Sequence, residues 1–118
     1  MTQSKWHEQA EKLVRLLRQH CVGRLVDADY LMFYLNLDND RDLRSVVHYA
    51  RMELGEPIIS TFDGYSWPTG WDDDRYDHCV RQRRQVAAEN LAVAAAIVRG
   101  MEKYFGQPTL FGGSFDER

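Results

Sequence analysis

Apolar residues recur at helical spacing in the first half of the chain and predict three helices, at about residues 6–21, 28–35 and 40–54. Asp27 is the expected N-cap of the second helix and Asp40 that of the third, and Gly55 supplies a left-handed stop after the third. The buried side of the third helix consists of apolar residues three and four positions apart: Leu43, Val46, Val47, Ala50 and Leu54.

A short β-hairpin is predicted at residues 58–67. Residues that favour strands lie on both sides of the turn Phe62-Asp63-Gly64, in which Asp63 and Gly64 tolerate a tight reversal. Pro68 would end the second strand because it has no N–H to donate to a ladder. Residues 24–26 are a candidate for a minimal third strand.

The segment 72–105 contains no proline and keeps a near-helical apolar period, which predicts one long helix. Such a helix would overhang a small three-helix domain and would need another surface to cover it. A homodimer through this helix provides that surface, and the alternative is that the helix folds back along the first helix of the same chain. Residues 106–118 are rich in glycine and are expected to form a flexible tail.

Length and composition indicate one globular domain of 118 residues with a formal net charge of −3. The two cysteines are too few for a disulfide framework, and the polar N-terminus and the short apolar runs indicate neither secretion nor membrane insertion. We therefore expect a cytoplasmic protein without a membrane partner.

The span from Gly23 to Trp67 contains three characteristic stretches: GRLVDADYL, DRDLRSVVHYARMELG and EPIISTFDGYSW. In this order they resemble the winged helix-turn-helix domain of bacteriophage and prophage proteins. The resemblance implies a mainly α fold with a small β-hairpin (α+β), in which residues 1–71 form the winged domain and the hairpin 58–67 is its wing. It covers less than half of the chain.

That resemblance implies a protein that binds double-stranded DNA in replication or transcription control. The implied contacts lie on the polar side of the third helix and on the wing: Arg41, Arg44, Ser45, His48, Arg51, Ser60 and Thr61. Arg81, Arg83 and Arg84 form a basic cluster that is a candidate for further phosphate contacts, with pairing to Asp77 and Glu89 as the alternative. The wing departs from the usual pattern, since its tip is Phe62-Asp63 and not basic.

The tail sequence Gln107-Pro108-Thr109-Leu110-Phe111 is similar to the short peptide by which bacterial polymerases and repair proteins hold the sliding clamp. The similarity implies that Leu110 and Phe111 fill an apolar pocket of the clamp and that Gln107 bonds at its rim. Alternatively, Leu110 and Phe111 fold back over the helices of the same chain. With the acidic wing, this motif supports a second hypothesis, a protein-interaction adaptor that uses the winged helix as a docking scaffold.

The sequence offers no pattern for catalysis, a cofactor or a metal. His20-Cys21 and His78-Cys79 are adjacent pairs whose side chains diverge by about 100° on a helix, so neither pair chelates an ion alone. The acidic run 72–74 is explained by a helix N-terminus, which favours negative charge. We expect a protein that is not an enzyme and that needs neither cofactor nor metal.

Overall fold

The computed structural model describes residues 5–85 and 88–107, and in these residues it contains five helices and one two-stranded antiparallel sheet. The elements, in chain order, are α1 (His7–His20), α2 (Ala28–Leu35), α3 (Asp40–Met52), β1 (Ile59–Thr61), β2 (Gly64–Ser66), α4 (Asp74–Arg84) and α5 (Ala88–Phe105). The predicted fold class, mainly α with a small β-hairpin, is confirmed.

Short polar side chains cap the N-termini of α2 and α3, and a left-handed residue ends α2. Asp27 caps α2 by accepting a hydrogen bond from the Tyr30 amide at 2.8 Å. Asn36, with a φ of 58°, ends α2 in the left-handed conformation. Asn39 caps α3 by accepting from the Asp42 amide at 2.8 Å, so the prediction of Asp40 as the cap is wrong by one residue. Asp40 is the first residue of the helix.

The wing consists of β1 and β2, paired in the register Ile59 with Ser66, Ser60 with Tyr65 and Thr61 with Gly64. The predicted third strand is reduced to isolated bridges, in which the backbones of Val26 and Tyr65 exchange hydrogen bonds of 2.8 and 2.9 Å. A Cβ atom on Gly64 would lie 2.4 Å from the Val26 carbonyl oxygen. The glycine therefore permits this close contact between the wing and the α1–α2 connection.

Two apolar clusters hold these elements together. The first joins α1, α2 and α3 through buried side chains such as Leu13, Leu31 and Leu43, and Ile58 and Trp67 belong to it. The second lies between β1, α4 and α5 and contains Ile59, Tyr76, Cys79, Val80, Val93, Ala94, Ile97 and Met101. Burial of these apolar surfaces is the main driving force for the fold.

The segment 72–105 forms two packed helices, so the prediction of one long helix is wrong. α4 ends at Arg84 and α5 begins at Ala88. The Trp71 indole N–H donates to the Gly106 carbonyl at 3.1 Å, which places the start of α4 beside the end of α5. The physical reason is burial: in a hairpin, Cys79 and Val80 cover the apolar side of α5, which a single overhanging helix would leave exposed.

The α4–α5 hairpin removes the overhanging surface on which the homodimer prediction was based. The end of α5 packs against α1 and the wing, since Arg18 donates to the Tyr104 hydroxyl at 3.1 Å and the rings of Trp67 and Tyr104 meet edge to face at 5.1 Å. The overhang that suggested a partner copy is therefore absent from the described residues. The homodimer stays a prediction, with half-exposed Leu91 as an apolar residue on the outer side of α5.

An ion pair joins α5 to the turn after α3. The Lys103 Nζ atom lies 3.2 Å from Glu56 Oε2 and donates to the Leu54 carbonyl at 3.2 Å. Glu56 is buried, and within the described residues its Oε1 atom has no hydrogen-bond partner. The pair therefore compensates a carboxylate that has lost most of its water.

We expect Lys103→Ala to lower the free energy of unfolding by about 1–2 kcal/mol, because it leaves Glu56 buried without its counter-charge. Urea unfolding followed by tryptophan fluorescence measures the change. Arg99→Ala is the matched control, since Arg99 is an exposed cation on the same helix. Equal losses in both variants would show that the Lys103–Glu56 pair has no special role.

None of the helices in the described residues is both long enough and apolar enough to cross a membrane.

Candidate functional site

A groove of about 670 Å³ lies between α3, the wing and the α4–α5 hairpin. Its polar lining residues come from α3 and the residue after it, from both strands of the wing and from α4, and the two apolar clusters hold these elements together. The polar side chains that line it include Arg41, Arg44, Ser45, His48, Arg51, Glu53, Ser60, Tyr65 and Arg83. The structure thus collects most of the predicted DNA contacts in one place, which we call the α3 groove.

The outer wall of the α3 groove is a row of exposed basic side chains. Arg41, Arg44 and His48 follow each other at spacings of three and four residues on one face of α3, and half-buried Ser45 lies among them. Arg44 pairs with Asp40 at 3.0 Å, but both side chains are at least half exposed, so the pair is weak and easily exchanged. The row is available to an anionic ligand.

Arg51 is not part of this exposed row, and its predicted position on the polar side of α3 is wrong. Its side chain is only 4% exposed. Its Nε and Nη2 atoms donate to the Ile58 carbonyl at 2.9 and 2.7 Å, and Nη2 also donates to the Ser60 hydroxyl at 2.9 Å. Arg51 follows Val47 by four residues and therefore lies on the buried side of α3. It ties the end of α3 to the first strand of the wing.

Burial lowers the pKa of Arg51 to about 10, chiefly because the guanidinium loses its water, with a smaller contribution from the nearby positive charge of Arg83. Arg51 is still protonated at neutral pH. The floor of the α3 groove therefore carries a fixed positive charge.

Ser60 is a residue of β1 that lines the α3 groove. It lies on the wing as predicted, but it is half-buried, and its hydroxyl accepts hydrogen bonds from both Arg51 and Arg83, the latter at 3.1 Å. It faces the α3 groove from the floor. Contact of Ser60 with a ligand would therefore take place inside the groove and not at the tip of the wing.

On α4, Arg83 is the member of the predicted basic cluster that reaches the α3 groove. Arg81 pairs with Asp77 one turn earlier, and Arg84 is exposed outside the groove lining. Arg83 continues the stripe of Tyr76 and Cys79, which packs on β1, and this places its guanidinium over Ser60. The helical period of α4 was the signal in the sequence that identifies Arg83.

Thr61 lies on the wing, as predicted, but outside the α3 groove. It lines a separate depression of about 320 Å³ with four carboxylates: Asp27, Asp29, Asp40 and Asp63. Its hydroxyl accepts a hydrogen bond from the Asp63 amide at 3.1 Å and so stabilises the turn of the wing. Carboxylates repel phosphates, so this side of the wing does not suit DNA. Phe62 at the tip is fully exposed.

The predicted clamp-binding residues are only partly described. Gln107 is exposed just after α5, next to Gly106, whose carbonyl accepts from Trp71. Leu110 and Phe111 lie outside the described residues.

The cysteines are core residues. Cys21 and Cys79 are buried thiols, and burial raises the pKa of Cys21, which keeps it in the unreactive protonated form. Among residues 5–85 and 88–107 there is no group of three or more His, Cys, Asp or Glu side chains that could hold a metal ion.

Comparison of this chain with protein-family models, with curated proteins and with solved structures finds no match. The α3 groove and the order of the elements around it are therefore the features that bear on function. That order, three helices followed by a two-stranded wing, is the one implied by the winged-helix resemblance.

Proposed function

We propose that this protein binds double-stranded DNA through the α3 groove, without catalysis, as a phage-type or prophage-type factor in replication or transcription control. The observation that carries the proposal is the exposed row Arg41, Arg44 and His48 on α3, in a groove whose floor is also positive. Arginine forks match both phosphates and the major-groove edge of guanine. The row lies on the third helix of the winged arrangement, the element that reads the major groove in such domains.

The surrounding acids restrict how a duplex would approach. Asp38, Asp40 and Asp42 lie at the start of α3, and Asp63 lies on the far side of the wing. A duplex that contacted these residues would be repelled, whereas one that lies along Arg41, Arg44 and His48 meets mostly basic side chains. Glu53 is the one acidic side chain among the described residues that line the α3 groove. The charge pattern favours a single orientation on DNA.

A charge-matched pair of double variants tests this proposal. We expect Arg41→Gln with Arg44→Gln to weaken duplex binding about 10–30-fold, which corresponds to the loss of two phosphate or base contacts. Arg84→Gln with Arg99→Gln removes the same charge from exposed positions outside the groove and should change affinity less than about threefold. Fluorescence anisotropy of a labelled duplex measures the affinities of the two double variants. Equal losses in the two variants would mean that only net charge matters.

The second candidate function is a protein-interaction adaptor. It is favoured by the fully exposed Phe62 at the wing tip, beside the acidic depression formed by Asp27, Asp29, Asp40 and Asp63. An exposed aromatic residue bordered by carboxylates suits a partner protein with a basic, apolar surface. The tail residues Leu110 and Phe111 would then recruit a second partner such as the sliding clamp.

The adaptor is tested with the purified clamp. We expect Leu110→Ala with Phe111→Ala to abolish any capture of the clamp by the full chain, because the two side chains are the apolar anchors of the tail motif. Surface plasmon resonance with immobilised clamp measures the binding, and Phe62→Ser serves as the control that leaves the tail intact. Capture that survives the double alanine variant would discard the motif.

We also propose a cytoplasmic location. The proposal is supported by two free, buried cysteines, which suit a reducing compartment.

A further inference from the structure

Two guanidinium groups converge on one hydroxyl at the floor of the α3 groove. Nη2 of Arg51 and Nη2 of Arg83 donate to Oγ of Ser60 at 2.9 and 3.1 Å. A serine hydroxyl has two acceptor lone pairs and one proton, so these two donors occupy its accepting capacity. The Ser60 proton is left to donate to an acceptor, and the groove lies in front of it.

Neither guanidinium is compensated by a carboxylate in the part of the chain that the structure describes. The ion pairs there join other side chains, and the polar contacts of Arg51 and Arg83 are to the Ile58 carbonyl and the Ser60 hydroxyl. A buried cation without a counter-ion is costly, and a second cation beside it adds repulsion. An anion placed over Ser60 would supply a counter-charge to Arg51 and would reduce the repulsion between Arg51 and Arg83.

The lining of the groove shows which anion fits. Arg44 and His48 face the same space from α3, so several basic side chains surround it, with Glu53 as the acidic exception among the described residues. A volume of about 670 Å³ is in the range of small-molecule sites and exceeds the size of an inorganic ion. Guanidinium forks and a hydroxyl donor are the groups that proteins use to hold phosphate oxygens.

We propose that Ser60 and Arg83 form a phosphate-binding subsite in the α3 groove, with buried Arg51 as the positioning residue that holds Ser60 and supplies charge beneath it. The Ser60 O–H and the Arg83 guanidinium donate directly to phosphate oxygens. The phosphate belongs either to the DNA backbone, in which case the subsite deepens the proposed function, or to a free phosphorylated compound such as a nucleotide. The shared chemistry is a phosphoryl group with at least one negative charge.

The subsite itself is tested with inorganic phosphate. In ¹⁵N NMR spectra recorded at constant ionic strength, replacing chloride with phosphate should give saturable shifts of the amides of residues 58–61 and 83. We expect Arg83→Gln and Ser60→Ala each to weaken this binding about tenfold, because each removes a direct donor to the phosphate. Arg84→Gln, which removes the adjacent exposed arginine, should leave it unchanged.

Non-saturable shifts, or the same affinity in Arg83→Gln and wild type, would overturn the subsite. Arg51 is left intact in these experiments because its buried hydrogen bonds hold the wing, and the Arg83 and Ser60 variants keep the test valid without it.

Titration with a labelled duplex and with a deoxynucleoside monophosphate then distinguishes the two sources of phosphate. A duplex affinity that falls several-fold in Arg83→Gln but not in Arg84→Gln assigns the subsite to the DNA backbone. If phosphate and the nucleotide bind in an Arg83-dependent manner while no duplex binds at low salt, the subsite stands and the proposed function fails. If the duplex binds independently of Arg83 and phosphate does not saturate, the subsite fails and the proposed function stands.

Discussion

The Arg51→Ala variant is expected to lose about 3 kcal/mol of unfolding free energy, a large fraction of the stability of a small domain. The change removes both donors to the Ile58 carbonyl and leaves that carbonyl without the partner that the structure gives it. It also leaves a cavity under the wing, where the arginine side chain is 4% exposed. Relief from burying an uncompensated charge offsets part of this loss.

Urea unfolding monitored by tryptophan fluorescence measures the Arg51 effect. Arg41→Ala is the control, because Arg41 is an exposed arginine of the same helix and should change stability by less than about 0.5 kcal/mol. Arg51→Met retains much of the side-chain volume, so its free energy of unfolding should fall less than that of Arg51→Ala. A stable Arg51→Ala protein that has lost DNA affinity would contradict the structural role and restore Arg51 as a contact residue.

The Gly100→Ala variant is expected to lower the free energy of unfolding by about 2–3 kcal/mol. The same change inside a helix usually raises that free energy. A Cβ atom at this position would lie 2.7 Å from the Pro57 nitrogen and 2.9 Å from the Gly55 carbonyl oxygen. Both are backbone atoms of the turn after α3, so they cannot move aside as a flexible side chain would. The glycine allows α5 to lie directly on that turn.

The sign of the Gly100 effect distinguishes the helical hairpin from a single long helix. In an overhanging helix, Gly100→Ala would stabilise the protein by up to about 1 kcal/mol through helix propensity. Gly70→Ala is the matched control, because a Cβ there meets only an ordinary contact at 3.6 Å with an Asp72 side-chain atom. Thermal unfolding of the three proteins gives the comparison, and an increased melting temperature for Gly100→Ala would contradict the packing of α5 on the turn.

Local rules predicted α2, α3 and the wing because turn and cap residues mark where these elements begin and end. The cap at Asp27 marks where α2 begins. The apolar period of α3 and the left-handed Gly55 after it mark the extent of α3. The break between α4 and α5 has no such marker. It follows from the burial of Val93 and Ile97 against α4 and β1, a long-range effect that an uninterrupted apolar period does not reveal.

In the candidate site, the sequence predicted the exposed row of α3 but misplaced Arg51. Arg41 and Arg44 are exposed as expected. Arg51 was assigned to the polar face because it is charged, although its spacing from Val47 puts it on the buried side. The sequence groups Arg81, Arg83 and Arg84 as one basic cluster, and the packing of α4 on β1, which is a tertiary contact, brings Arg83 alone of these three to Ser60.

The most direct test of DNA binding by the α3 groove is the fluorescence anisotropy of a labelled mixed-sequence duplex, titrated with the full chain at several salt concentrations. Three phosphate contacts, from Arg41, Arg44 and Arg83, predict a slope of log affinity against log salt of about −2.7. Affinity would then fall about 40-fold between 50 and 200 mM salt. Absence of binding at the lowest salt, or an affinity that does not change with salt, would contradict the account and favour the adaptor.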